Sequence, residues 1–242
     1  MDRGNAWNDK GDYDMAIANF NQALRVADPN DSYNISAAYN DRGLSWYHKG
    51  EYDKAIADYN QALAVNPNYA IAYNNRGNTW EKKGEYDKAI ADYNQALVIN
   101  PKDAIAYNNR GNTWEKKGEY DKAIADYNQA LAVNPNYANA YENLGWLYST
   151  CPDANHRYGK KAFENANKAY QLDGGKSWTY IDTLAAAYAE SDDFDRASEW
   201  ETKAIKLMET DKKATDKDKQ ELNARLELYK QGKPYRQEPK KK

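Results

Sequence analysis

Side chains that do chemistry are scarce in this sequence. It has one cysteine, Cys151, and two histidines, His48 and His156. A lone thiol cannot close an internal disulfide, so no covalent staple holds the fold, and a reducing compartment fits. Cys151 and His156 share a loop and form the one pairing that could serve as nucleophile and base or begin a metal site. A zinc site wants about three or four ligands, however, and no second Cys or His lies near them in sequence, so packing within the loop is the default for both. There is no glycine-rich phosphate loop and no paired metal-ligand spacing. A non-enzyme without cofactor or metal is expected. Long apolar runs are missing too: nothing approaches the roughly 18 consecutive residues of a membrane span, and no charged-then-apolar leader opens the chain. The expectation is a soluble protein, cytoplasmic by default, with the loss of a signal segment or of further chain ahead of Met1 left open. Positive charge is not in excess. A net charge of −3 and a pI near 5.6 give no general attraction to phosphate backbones, which makes nucleic acid a poor partner. Aliphatic residues are also thin, with a mean hydropathy of −1.10. What stands in their place is aromatic: 22 Tyr and 7 Trp, each able to bury about 150–250 Å².

Those aromatics recur. Residues 70–97, AIAYNNRGNTWEKKGEYDKAIADYNQAL, return unchanged at 104–131, an offset of 34. A fixed period of that size means stacked supersecondary units. In each copy Tyr73, Gly77 and Trp80 fall at helical spacing; after Gly84 a second set does likewise, Tyr86, Ala89, Ile90, Tyr93, Ala96 and Leu97. Gly84 can take the left-handed conformation that ends a helix and Pro101 cannot continue one, so the unit reads helix, tight turn, helix. Ala70, Tyr73, Gly77, Trp80, Gly84, Tyr86, Ala89, Tyr93, Ala96 and Pro101 together resemble the tetratricopeptide signature. The resemblance implies an all-α, right-handed superhelical solenoid of helical hairpins.

Six units follow from the register, at about 1–30, 36–69, 70–103, 104–137, 138–176 and 178–208. The first lacks its opening residues before Met1 and is expected to fray or to continue a longer array. The fifth carries a longer turn, Ser149 to Gly159, and the sixth has Asp192 where the turn glycine belongs. This TCPD loop and the following DTLAAAYAE are similar to a C-terminal module of many bacterial tetratricopeptide proteins. A capping box at Thr215 and Asp218 opens a helix within 209–232, read as a cap on the last repeat. Residues 233–242, rich in Lys, read as a basic disordered tail.

Three features depart from bland repetition. Arg42, Arg76 and Arg110 each precede an aspartate by sixteen residues, Asp58, Asp92 and Asp126, which predicts an ion pair between the helices of a hairpin or to the adjacent repeat. Lys82, Lys83, Lys116 and Lys117 close their helices, where cations offset the helix dipole, and Trp80 and Trp114 are expected in the interhelical core. A stripe beside the packing face carries Asn40, then Asn74, Asn75 and Asn78, then Asn108, Asn109 and Asn112, then Glu142 and Asn143. In the family this side of the first helix lines the concave groove, so these residues are the candidate partner-binding set, with amides that suit an extended peptide's backbone. The two-carboxylate clamp that holds heat-shock chaperone C-termini in the family needs Lys and Arg near where this chain has Asn74, Ile105, Asn109, Asn139 and Asn143, so that partner is disfavoured. The expected function is therefore a scaffold or adaptor for a protein or peptide. The alternative is a self-assembling structural protein, associating end to end through its open N-terminal repeat.

Overall fold

The computed structural model describes residues 2–238, the side chains of Asp2 and Arg3 apart. The regular structure among them is helical: α1 Asp2–Asp9, α2 Tyr13–Val26, α3 Ser32–His48, α4 Tyr52–Val65, α5 Ala70–Lys82, α6 Tyr86–Ile99, α7 Ala104–Lys116, α8 Tyr120–Val133, α9 Ala138–Thr150, α10 Gly159–Asp173, α11 Trp178–Glu190, α12 Phe194–Met208 and α13 Asp216–Lys230, with a short 3₁₀ turn at Ala154–His156. The helices group into two compact units, divided inside α7 between Trp114 and Glu115.

In the first unit the hairpins are α1/α2, α3/α4 and α5/α6. Side chains cap the entries to α2 and α3: Asp12 accepts from the Met15 amide, and Asp31 from that of Asn34. Between paired helices the chain reverses on one residue, Gly50 or Gly84, with φ of 77° and 78°. The Gly84 amide donates to Glu81 O and the Glu85 amide to Trp80 O, satisfying carbonyls the helix end would strand.

The helices close on aromatic rings laid against glycine. Phe20, Tyr59 and Tyr93 are fully buried. A Cβ on Gly43 would meet Tyr59 Cε1 at 2.8 Å, and one on Gly77 would meet Tyr93 Cε1 at 2.7 Å. Ala55, Ala62, Ala72, Ala89 and Ala96 are fully buried as well, Ala62 and Ala72 in a cluster with Tyr39, Tyr69 and Tyr73. A sequence short of Leu and Ile thus builds its layers from large rings set against the smallest residues. Trp80 takes a different place from the expected core. It is half-buried, with the ammonium groups of Lys88 and Lys83 4.6 and 5.8 Å from its ring centre.

The second unit runs from Glu115 through α8, the α9/α10 and α11/α12 hairpins and α13. The turn after α7 uses Gly118, φ 76°; the turn after α11 uses Asp192, which takes φ 59° without being glycine. Asp and Asn tolerate this region better than most residues, which is why the repeat survives the substitution. Helix α10 packs closely on α9, where a Cβ on Gly145 would come within 2.9 Å of the Ala166 backbone nitrogen. Helix α13 opens on the Thr215–Asp218 capping box and lays Leu222, Leu226 and Tyr229 inward; Leu222 joins a cluster with Ile181, Ala204 and Met208.

The stretch after α13 corrects an expectation. Residues 233–238 do not form a free tail. Tyr235 lies on Trp146 with ring centres 5.8 Å apart, Arg236 pairs with Glu190 at 2.6 Å, and the Gln237 amide donates to Thr150 O at 2.9 Å. Aromatic and guanidinium anchors outweigh the Lys-rich composition that suggested disorder. Residues 239–242, the rest of the expected tail, lie outside the described residues.

Candidate functional site

The candidate residues sit on the first helices of successive hairpins, and their amides bond from one hairpin to the next. Asn75 Nδ2 donates to Asn40 Oδ1 at 3.0 Å, and Asn109 Nδ2 to Asn74 Oδ1 at 3.2 Å, each across 35 residues of sequence. Asn40 also donates to Asp41, and Asn78 accepts from the buried Tyr93 hydroxyl at 2.7 Å. Asn40 and Asn108 are buried; Asn74, Asn75, Asn78, Asn109, Asn112, Glu142 and Asn143 are half-buried. The stripe is therefore a ladder built into the joints between repeats, with part of each rung open. Sequence periodicity places these residues on one side of the first helices but carries no sign of bonds at an offset of 35.

Beside the ladder the first unit exposes apolar surface. Ile71 and Ile105 are 54% and 51% exposed. Ile71 lies four residues before Asn75 and Ile105 four before Asn109, so each isoleucine shares a helix face with a rung. This face offers amide donors and acceptors next to two water-facing apolar side chains.

The arginines knit the same joints from behind. Arg42 holds Asp58 with two bonds, at 2.7 and 2.5 Å, and Arg76 holds Asp92 at 2.8 and 2.6 Å. The remaining Nη1 of each reaches an asparagine of the preceding hairpin, Arg42 to Asn21 and Arg76 to Asn60, as Arg110 does to Asn94. All three guanidiniums also lie over a tyrosine ring of their own helix, 5.3–5.5 Å from its centre. For Arg42 and Arg76 the ion pair lies within the hairpin, and the neighbour is reached through an asparagine, not a second carboxylate.

In the second unit the charge is acidic and deep. Glu142 accepts from Thr183 Oγ1 at 3.2 Å. Its surface is only partly covered, yet it sits deep among protein atoms, and that burial, with Glu115 and Asp182 nearby, pushes its carboxyl up to about 8. Further along, Arg225 donates to both oxygens of Asp182 at 2.9 and 3.0 Å and lies 3.6 Å from Glu201, which is fully buried. Burial raises both carboxyls, and that of Glu201 goes well above the ordinary range. Two acids facing one guanidinium were not foreseen. Asp182 stands at the register position of the asparagine stripe, and the loss of amide chemistry there was the available signal.

Cys151 and His156 have separate surroundings. Burial pushes the thiol up to about 11, leaving it protonated at neutral pH. The backbone carbonyl of Cys151 accepts from Arg157, while the His156 ring lies 3.1 Å from both Asp153 and Asp121. Among the described residues no group of three or more His, Cys, Asp or Glu could hold a metal ion, and no helix is long and apolar enough to cross a membrane.

Sequence profiles of the tetratricopeptide repeat match residues 2–30, 43–84, 70–103, 104–137 and 126–197. No curated protein matches the chain. Among solved structures, the chain is similar to a MamA protein, at 26% identity over 74% of this chain and 93% of that one, TM-score 0.58. It is similar also to TTC0263, a thermophilic TPR protein of Thermus thermophilus, at 21% identity over 81% and 99%, TM-score 0.62. A third is YrrB, described as a TPR protein with an unusual peptide-binding site, at 20% identity over 79% and 93%, TM-score 0.56. The 34-residue period, the hairpins that turn on glycine, the rings packed on glycine and the profile matches have one reading: the chain belongs to the tetratricopeptide repeat family, with the all-helical solenoid class of fold and the protein-interaction scaffold role of that family.

Proposed function

We propose that the chain is a non-catalytic adaptor that holds an extended peptide segment along the first-helix stripe. Within the first unit Asn74, Asn75, Asn78, Asn109 and Asn112 supply half-open amides and the buried Asn40 and Asn108 anchor the stripe, while Glu142 and Asn143 hold the same sequence register in the second unit. The observation that carries this reading is the exposure of Ile71 and Ile105 beside the amide ladder. Exposed isoleucines give a ligand apolar anchors, and the amides meet its backbone. Contacts mainly to main chain make recognition broad in sequence. Each net hydrogen bond adds only about 0.5–1.5 kcal/mol, so affinity is about micromolar. It also depends little on salt, since no fixed charge pairs with the ligand.

The test is an array of random extended peptides, probed with the wild type and with Ile71→Ser/Ile105→Ser/Asn109→Ala. These positions avoid Asn78, whose loss would strand the Tyr93 hydroxyl. Retention of a varied peptide subset by the wild type and its loss in the variant, with helicity unchanged, support the reading. Retention of the same subset at the same affinity overturns it. Light scattering on dilution covers the rival reading: mass that stays above one chain at low micromolar concentration favours end-to-end assembly.

A further inference from the structure

Residues 235–237 lie on the second unit with three anchors. The Tyr235 ring rests on Trp146, and Arg225 lies over both rings, 5.4 and 5.3 Å from their centres. The Arg236 guanidinium pairs with Glu190 at 2.6 Å and donates to Ser149 O at 3.0 Å. The Gln237 amide donates to Thr150 O, while its side chain donates to Glu115 Oε1 at 3.2 Å and lies as close to Thr150 Oγ1. These are the elements of peptide recognition: an aromatic platform, a carboxylate for a guanidinium, a second carboxylate for an amide, and helix-end carbonyls for backbone and side-chain donors. The segment has no regular structure of its own, and Tyr235 and Arg236 stay half-exposed, so it is held by side-chain anchors and a single backbone hydrogen bond to α9.

We propose that this surface, from Trp146 and Thr150 to Glu190 and Glu115, is a docking site for an extended partner segment bearing an aromatic, an arginine and an amide in succession, and that Tyr235–Gln237 is its displaceable resident. The site stands apart from the asparagine stripe and does not depend on it. The resident's own contacts set the partner's chemistry: a guanidinium for Glu190, which Arg157 approaches only to 3.8 Å, and an amide for Glu115 and Thr150. Because the resident is tethered just beyond α13, it competes at about millimolar effective concentration. A free partner therefore binds poorly until the resident is weakened.

The probe is a fluorescent peptide of residues 232–238, titrated by anisotropy into the full chain. Tyr235→Ala/Arg236→Glu is expected to bind it at least about tenfold more tightly than the wild type, to lose it when Glu190→Gln is added, and to bind less well as salt rises. A folded variant that binds no better than the wild type overturns the proposal and leaves the segment as a strap closing the end of α9. Should that variant lose its helical signal, Arg236→Ala, which keeps the tyrosine on Trp146, is read by the same criterion. Asn75→Ala/Asn109→Ala should leave probe binding unchanged; its loss there would place the probe on the stripe and overturn the assignment.

Discussion

Arg76 grips Asp92 with two near-parallel hydrogen bonds, and its third nitrogen reaches back to Asn60 in the preceding hairpin. One side chain thus ties two helices of a repeat and the joint before it. The carboxylate is nearly buried and the guanidinium is 20% exposed, so removing either alone leaves a charge without its partner. Arg76→Ala and Asp92→Ala should each destabilise, and the double variant should lose less than the sum, with a coupling of about 1–3 kcal/mol in urea denaturation. Additive losses would mean that water already satisfies both groups.

Gly77 is required by contact and not by its backbone angles. A methyl there would press into Tyr93 at 2.7 Å, against a ring that is fully buried. Gly77→Val should lower stability by about 1–3 kcal/mol. Gly84→Val should also destabilise, but through its positive φ, since nothing lies within 4 Å of a Cβ there. The two mechanisms separate on shortening Tyr93: Tyr93→Leu should relieve Gly77→Val and leave Gly84→Val unmoved, measured by denaturant midpoint.

These two relationships mark what could be read from the chain. A period of 34, a glycine before α4, α6 and α8, and Arg42 and Arg76 sixteen residues before an aspartate are all local or fixed-offset signals, and the turns and ion pairs they predict are formed. The asparagine ladder was half legible. Its face followed from helical spacing, but burial of Asn40 and Asn108 depends on how closely neighbouring hairpins stack, which one strand of sequence does not record. The return of Arg236 to Ser149 spans 87 residues and breaks the repeat pattern, so periodicity is silent about it, and a Lys-rich composition points the other way.

Glu142 gives stability a pH dependence of definite sign. Its folded carboxyl is raised to about 8 from 4.5; between those values the folded chain holds a proton that the unfolded chain has lost, so this residue makes stability fall as pH rises through the window. Glu142→Gln should match the wild type near pH 4.5 and exceed it at pH 8 by roughly 2 kcal/mol, the shift being discounted for partial water access. Melting curves at the two pH values check this. Equal gain at both would point to packing instead of charge.

Arg225 is the only cation within reach of Asp182 and Glu201 among the ion pairs of the described residues. Arg225→Ala should cost about 3–5 kcal/mol at pH 8, where both acids lose their counter-charge. The cost should shrink at pH 5, because the abandoned carboxyls, already raised by burial, take up protons and become neutral. Chemical denaturation at both pH values would show it, and a cost independent of pH would assign the loss to the space vacated beside the Trp146 and Tyr235 rings.

The unchanged recurrence of residues 70–97 at 104–131 also has a genetic meaning. Helix α5, with the Lys83 that follows it, meets the hairpin before it through Arg76 on Asn60, Lys83 on Asp53 and Asn75 on Asn40, and α7 with Lys117 carries the same side chains at the same places. An in-frame unequal exchange between the two copies would excise 34 residues and present α4 with an identical successor, leaving no mismatched seam. The length of this array can thus change by a whole hairpin in one recombination, with the contacts that α5 makes to the hairpin before it supplied again by the identical side chains of α7.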